Sequence, residues 1–199
     1  TQYRLASKSC IAGALQSAAR NGKEVYVIVE PQARFDEEAN IKWAGQYRDA
    51  GVNVQLGVQG LKVHSKLVHI TRREHGRDRY YSVLGTGNFN EDTATIFADH
   101  LLMTYNQEMG EDVREIFRCF HRSFQPPRLK HLYCAPFDLR NFIRRGIRRE
   151  IENHKVGKAS GISFKVNNFS DVETNELVSE AAEAGVPVRL IVRSMFSLV

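Results

Sequence analysis

The chain has 199 residues, enough for one large domain or two small ones, and its 42% hydrophobic content supports a true core. Its 28 Lys and Arg against 23 Asp and Glu leave a formal charge of +5, a mild excess that suits an anionic ligand without demanding one. No apolar run reaches transmembrane length and none reads as a signal peptide, so the expected location is the cytoplasm.

The elements follow in chain order. Ser7 or Ser9 is placed to cap a helix to about Arg20, with Asn21-Gly22 as its stop. Cys10, at its start, joins Cys119 and Cys134 in forming no CxxC pair and no even-numbered framework, so the three read as buried free thiols of a reducing compartment. A short strand is expected at Tyr3–Ala6 and a buried one at Val25–Val29. Asp36-Glu37-Glu38 puts acids in the first turn of a helix that runs to about Ala50, before Gly51. Strands follow at Val52–Leu56, Leu61–Thr71 and Tyr80–Leu84, the last two joined by the polar turn Glu74–Asp78. A strand at His100–Thr104 precedes a helix at about Glu108–Phe124. Gln125-Pro126-Pro127-Arg128 then breaks the chain, dividing it into a first domain at 1–127 and a second at 128–199. The second reads as a helix at about Leu139–Asn153, a strand at Ile162–Val166, a helix at Glu173–Ala184 and a strand at Val188–Val192. The alternation predicts an α/β fold with a mixed sheet flanked by helices.

One internal similarity supports a duplication. Ala18 to Val29 matches Ala181 to Val192 at a constant offset, aligning Gly22 with Gly185. The offset carries any second-copy counterpart of His64 past the last residue. With a first residue that is not Met and a last residue directly after a strand-like run, the chain reads as a piece of a longer protein.

Two motifs carry the chemistry. In Lys62-Val63-His64-Ser65-Lys66, strand alternation would place Lys62, His64 and Lys66 on one face. A histidine between two cations is costly unless an anion binds there, and the cations keep the imidazole neutral and nucleophilic at pH 7. Lys66 would neutralise charge on a transferring group. His69 falls on the opposite face and reads as packing or surface. The second motif is Gly85-Thr86-Gly87-Asn88-Phe89-Asn90, in which glycines allow close backbone approach and Thr86, Asn88 and Asn90 offer donors to phosphate oxygens. A basic run, Arg140, Arg144, Arg145, Arg148 and Arg149, reads first as a solvated helix face and second as a track for a polyanion.

His-x-Lys followed by Gly-Thr-x-Asn resembles the phospholipase D superfamily, whose signature is HxK, four residues, Asp, then GSxN. Here Thr71 stands at the Asp position. Within that superfamily, Ala33-Arg34-Phe35-Asp36-Glu37-Glu38-Ala39-Asn40, Gly60–Lys66 and Gly85–Asn90 resemble the large bacterial type of polyphosphate kinase, a likeness that runs from Tyr3 to Arg193. The resemblance implies a phospholipase D-like fold, duplicated with the second copy incomplete. It implies that His64 becomes phosphorylated and that Arg4 and Arg34 bind phosphate and help place magnesium. It makes Arg193 a third phosphate-binding arginine, with Ser194 where the family has glycine. It matches Phe97 to an aromatic that stacks near the nucleotide base, usually a tyrosine, and Asp99 to a nearby acid. From the residues alone, Arg4 is a surface charge, Arg34 an ion-pair partner of the acids that follow it, and Phe97 a core residue.

The expected function is reversible transfer of the terminal phosphate of ATP to inorganic polyphosphate, with Mg2+ as cofactor, ATP/ADP and polyphosphate as partners, no nucleic acid, and a homo-oligomer in the full-length enzyme. The alternatives are a phospholipase D-like phosphodiesterase or nuclease acting through His64 without ATP, and a non-catalytic polyanion-binding domain. Thr71 and the Ala33–Glu38 element argue against the first. The joint presence of His64, Lys66, Asn88 and Asn90 argues against the second.

Overall fold

The computed structural model describes residues 1–33, 37–122 and 125–197, which form two compact units, Thr1–Leu132 and Tyr133–Val199. Among the described residues, no helix is long and apolar enough to cross a membrane.

In the first unit, helix α1 (Cys10–Arg20) starts where Ser9 accepts a hydrogen bond from the Ala12 amide. Strand β1 (Tyr26–Val29) pairs in parallel with β2 (Asn53–Leu56), and α2 (Glu37–Asp49) connects them. Leu5, Ala12, Val25, Val27, Val29, Tyr47 and Val52 form the core on one side of β1. Ile28 points the other way, into Val58, Val63, Phe117 and Phe120. Both faces of β1 are therefore covered, which is why its sequence is an unbroken apolar run.

The next strands form a separate antiparallel sheet, in the order β3 (Lys66–Glu74), β4 (Arg77–Gly85), β5 (Leu101–Thr104). The β3–β4 hairpin turns on His75 and Gly76, both at positive φ (46° and 77°), the two-residue geometry that suits strand twist. A short helix, α3 (Glu91–Ala94), lies between β4 and β5. Helix α4 (Gln107–His121) packs so closely on β4 that a Cβ on Gly110 would fall 2.4 Å from the Tyr80 Cβ. Thr1 and Gln2 tie the two sheets together. Gln2 donates to the Ile28 carbonyl at 2.8 Å, while the Thr1 nitrogen donates to the Leu67 carbonyl at 2.8 Å.

In the second unit, α5 (Leu139–Lys155) and α6 (Val172–Glu183) pack on the parallel pair β6 (Ile162–Val166) and β7 (Val188–Val192). The repeat seen in sequence recurs as backbone geometry. At the end of α1, Gly22 donates to Ala19 and Lys23 to Ala18; at the end of α6, Gly185 donates to Ala182 and Val186 to Ala181. Each turn needs a left-handed residue, and Gly22 (φ 72°) and Gly185 (φ 93°) supply it.

The α/β class holds, and among the described residues the strands divide into the parallel pairs β1–β2 and β6–β7 and the antiparallel sheet β3–β5. Three expectations change. Tyr3–Ala6 is not a strand: only Gln2 bridges to Val29 before the chain turns away, with the Tyr3 carbonyl taken by Asn40. The strand expected at Leu61–Thr71 starts at Lys66, because Leu61 closes a local bridge with Val58 and the partner β4 ends opposite Lys66. The helix expected to reach Phe124 ends at His121. The acids expected to open α2 include Asp36, which with Arg34 lies outside the described residues.

After α4, the buried carboxylate of Asp112 accepts from the amides of Lys130, His131 and Leu132 at 2.6–3.1 Å. It anchors the end of the unit from inside α4. Asp112→Asn places an amide NH2 toward those donors and should cost ~1.5–3 kcal/mol in urea unfolding, the range for hydrogen bonds to a charged group. An unchanged midpoint would show that the anchor carries no stability.

Candidate active site

Residues 62–65 belong to no ladder, so side chains hold the backbone that presents His64. Glu30 accepts from the Val63 amide at 2.8 Å, Lys66 donates to the His64 carbonyl, and Thr1 Oγ1 donates to the Ser65 carbonyl at 2.6 Å. Lys62, His64 and Lys66 thus do not share a strand face. They still meet: Lys66 Nζ lies 3.0 Å from His64 Nδ1, and the Tyr3 ring meets the imidazole edge-on with centroids 4.7 Å apart. The Lys66 and Lys62 ammoniums stand 5.3 and 5.7 Å from the centre of the same Tyr3 ring, within cation–π reach.

His64 is exposed, whereas Lys66 is only 6% exposed. Partial burial, then the charges of Lys66, Lys62 and Arg4, hold the His64 pKa below its ordinary value, so the ring is neutral at pH 7. Burial lowers Lys66 to about 8; Asp99 opposes that shift and Arg4 adds to it. Arg4 therefore acts electrostatically on both members of the pair.

The Gly85–Asn90 turn arrives beside them because Gly85 is paired with Lys66 across the β3–β4 ladder. Thr86 Oγ1 donates to Asp99 at 2.9 Å and accepts from the His100 amide at 3.0 Å. Gly87 lies so close to Asp99 that a Cβ there would come within 2.0 Å of Oδ2. Asn90 caps α3, accepting from the Thr93 amide at 2.9 Å, and the buried Asn88 Oδ1 has no hydrogen-bond partner among the described residues. Glu91 reaches from α3 to the start of α1, accepting from the Cys10 amide at 2.7 Å. Phe97 follows α3 and is exposed, in contrast to the core position its residue type suggests.

Arg193 directly follows β7 in the second unit, and its Nε donates to Asn167 Oδ1 at 2.9 Å. In the basic run, Arg140 pairs with Asp171, and Arg144, 14% exposed, pairs with Asp171 and Glu173. Two of its five arginines are therefore committed to holding α6 on α5. Arg145, Arg148 and Arg149 are exposed, Arg149 beside Glu150. Thr71 points into the β3 face with His69, at 3.4 Å from its Nε2; His69 is half-buried against Ser82 and Tyr80.

Among the described residues, no group of three or more His, Cys, Asp or Glu could hold a metal. The surroundings of His64 are cationic and do not fit a resident magnesium ion. Sequence reasoning passed over Tyr3 and Glu30. The signal for Glu30 was an acid directly after the apolar run Val25–Val29; Tyr3 carried none beyond its place before Arg4.

Two family descriptions match the chain: Polyphosphate kinase C-terminal domain 1 over residues 1–126 and Polyphosphate kinase C-terminal domain 2 over residues 132–199. The chain is 46% identical over 197 residues to the polyphosphate kinase of Vibrio cholerae, covering 99% of this chain and 28% of that protein. It is 42% identical over the same length to that of Escherichia coli K12, covering 29% of it. The crystal structure of polyphosphate kinase from Porphyromonas gingivalis superposes with a TM-score of 0.85 at 39% identity, covering 100% of this chain and 30% of that one. The chain thus spans under a third of the length of these relatives.

Because Lys66 is among the charges depressing the His64 pKa, Lys66→Gln should raise it. An NMR titration of the His64 ring protons checks this; an unchanged or lower value would contradict the electrostatic reading.

Proposed function

Because the chain belongs to the polyphosphate kinase family, we propose that it carries the part of such an enzyme in which the terminal phosphate of ATP passes to His64 and then to inorganic polyphosphate, reversibly. The contact between Lys66 Nζ and His64 Nδ1 at 3.0 Å is the observation that carries this reading.

The pair supplies both a nucleophile and a place for its proton. With the ring proton on Nδ1 and Lys66 neutral, Nε2 holds a free lone pair. A Lys66 pKa of about 8 keeps that arrangement within about one pH unit of neutrality, or ~1.4 kcal/mol. Nε2 attacks the terminal phosphorus; the N–P bond forms, the P–O bond to the leaving ADP breaks, and the Nδ1 proton moves to Lys66. The new ammonium stands beside the phosphoryl group and offsets its charge. In the second half, Lys66 returns the proton to Nδ1, a terminal polyphosphate oxygen attacks phosphorus, and the N–P bond breaks.

Arg4 and Lys62 add the positive field that draws a polyphosphate to His64. Thr86, Asn88 and Asn90 stand as further phosphate contacts on the turn next to Lys66, and the family likeness of the sequence adds Arg34 and Arg193 as phosphate-binding arginines. Phe97, exposed after α3, is the base-stacking candidate. In this reading magnesium belongs to the nucleotide phosphates rather than to a protein cage, and no step depends on a resident ion.

Gamma-labelled ATP with magnesium, given to the intact parent enzyme, should leave acid-labile, base-stable label that His64→Ala abolishes. Equal label in both, or cleavage of a phosphodiester without ATP and without label, would remove His64 as the phosphoryl carrier.

A further inference from the structure

Resting on that reading, we propose that Glu30 is a positioning residue for His64, acting through the main chain that carries it. Glu30 follows β1 directly and is 2% exposed. Burying a carboxylate is expensive, so its partners show what it is there to do. Oε2 accepts from the Val63 amide at 2.8 Å and Oε1 from the Gln32 amide at 2.9 Å. Val63 is the residue before His64, in the stretch that no ladder holds. The carboxylate replaces a missing neighbour strand and fixes the peptide plane from which His64 projects.

A second buried side chain reinforces it. Asn40, fully buried, donates through Nδ2 to the Glu30 carbonyl and to the Tyr3 carbonyl, both at 2.9 Å. Tyr3 is the ring against the edge of His64. The peptide before the imidazole and the aromatic residue beside it are therefore held by Glu30 and Asn40, which are themselves joined. Glutamate suits the role better than glutamine because two amide donors face it, and a glutamine has one acceptor oxygen.

Glu30→Gln in the intact parent enzyme should slow single-turnover phosphorylation of His64 at saturating ATP by ~10- to 100-fold, the scale of an ångström-level misplacement. The KM for ATP should stay within about threefold. Loss of signal only in proportion to the unfolded fraction, or an unchanged rate, would overturn the proposal. If the variant does not fold, amide hydrogen exchange in the unmutated protein decides. Val63 should exchange slowly although it lies outside any strand, and rapid exchange would reject the Glu30 contact. Absence of His64 label in the unmutated enzyme would instead reject the kinase reading, leaving the exchange result to judge Glu30.

Discussion

A buried lysine amine held 3.0 Å from a histidine nitrogen is the constraint around which the first unit is arranged. Lys62, Lys66 and Arg4 all act on one imidazole, and burial with the charge of Arg4 makes Lys66 harder to keep charged. An isolated cluster of this kind would fly apart or lose protons. Here the Tyr3 ring lies under two of the ammoniums, and Asp99 returns some negative charge to Lys66. The exposed imidazole thus sits beside a buried ammonium that an aromatic face and a nearby carboxylate both support.

The scaffold serves that cluster by making strand ends meet. The parallel pair β1–β2 and the antiparallel sheet β3–β5 are separate, and the segment bearing His64 lies between them. Strand hydrogen bonds cannot orient a segment in such a gap, so buried polar side chains do it. Their cost is offset by saturating donors and acceptors that would otherwise be unpaired. The same device recurs at the end of the unit, where Asp112 gathers three consecutive amides. In both places a carboxylate inside the fold substitutes for a strand.

Much of this was legible in the residues. The apolar run Val25–Val29, the serine before α1 and the glycines after the helices located their elements because each reflects a local rule of burial or backbone conformation. A repeated helix–glycine–strand pattern was visible, and the structure repeats its turn, with Gly22 and Lys23 bonded as Gly185 and Val186 are. His64 and Lys66 were legible as partners, but for an incomplete reason: alternation along a strand was invoked where the strand has not begun. Periodicity reports which residues share a face only where a ladder exists. The roles of Tyr3 and Glu30 depend on contacts across 61 and 33 residues, so even the acid placed directly after the Val25–Val29 run did not reveal what it holds. The commitment of Arg140 and Arg144 to Asp171 and Glu173 was hidden for the same reason: a basic stripe looks alike whether it faces solvent or another helix.

The approach of Gly87 to Asp99 links two positions that seem independent in the sequence. A methyl group at 87 would occupy the space of the Asp99 carboxylate, the same group that accepts from Thr86 and supports the charge of Lys66. Among descendants of this chain, position 87 is therefore not a neutral spacer within its motif. It can acquire a side chain only if residue 99 retreats or shortens, and that change withdraws negative charge from the lysine. Sequence drift at the two sites is coupled through the proton affinity of a third.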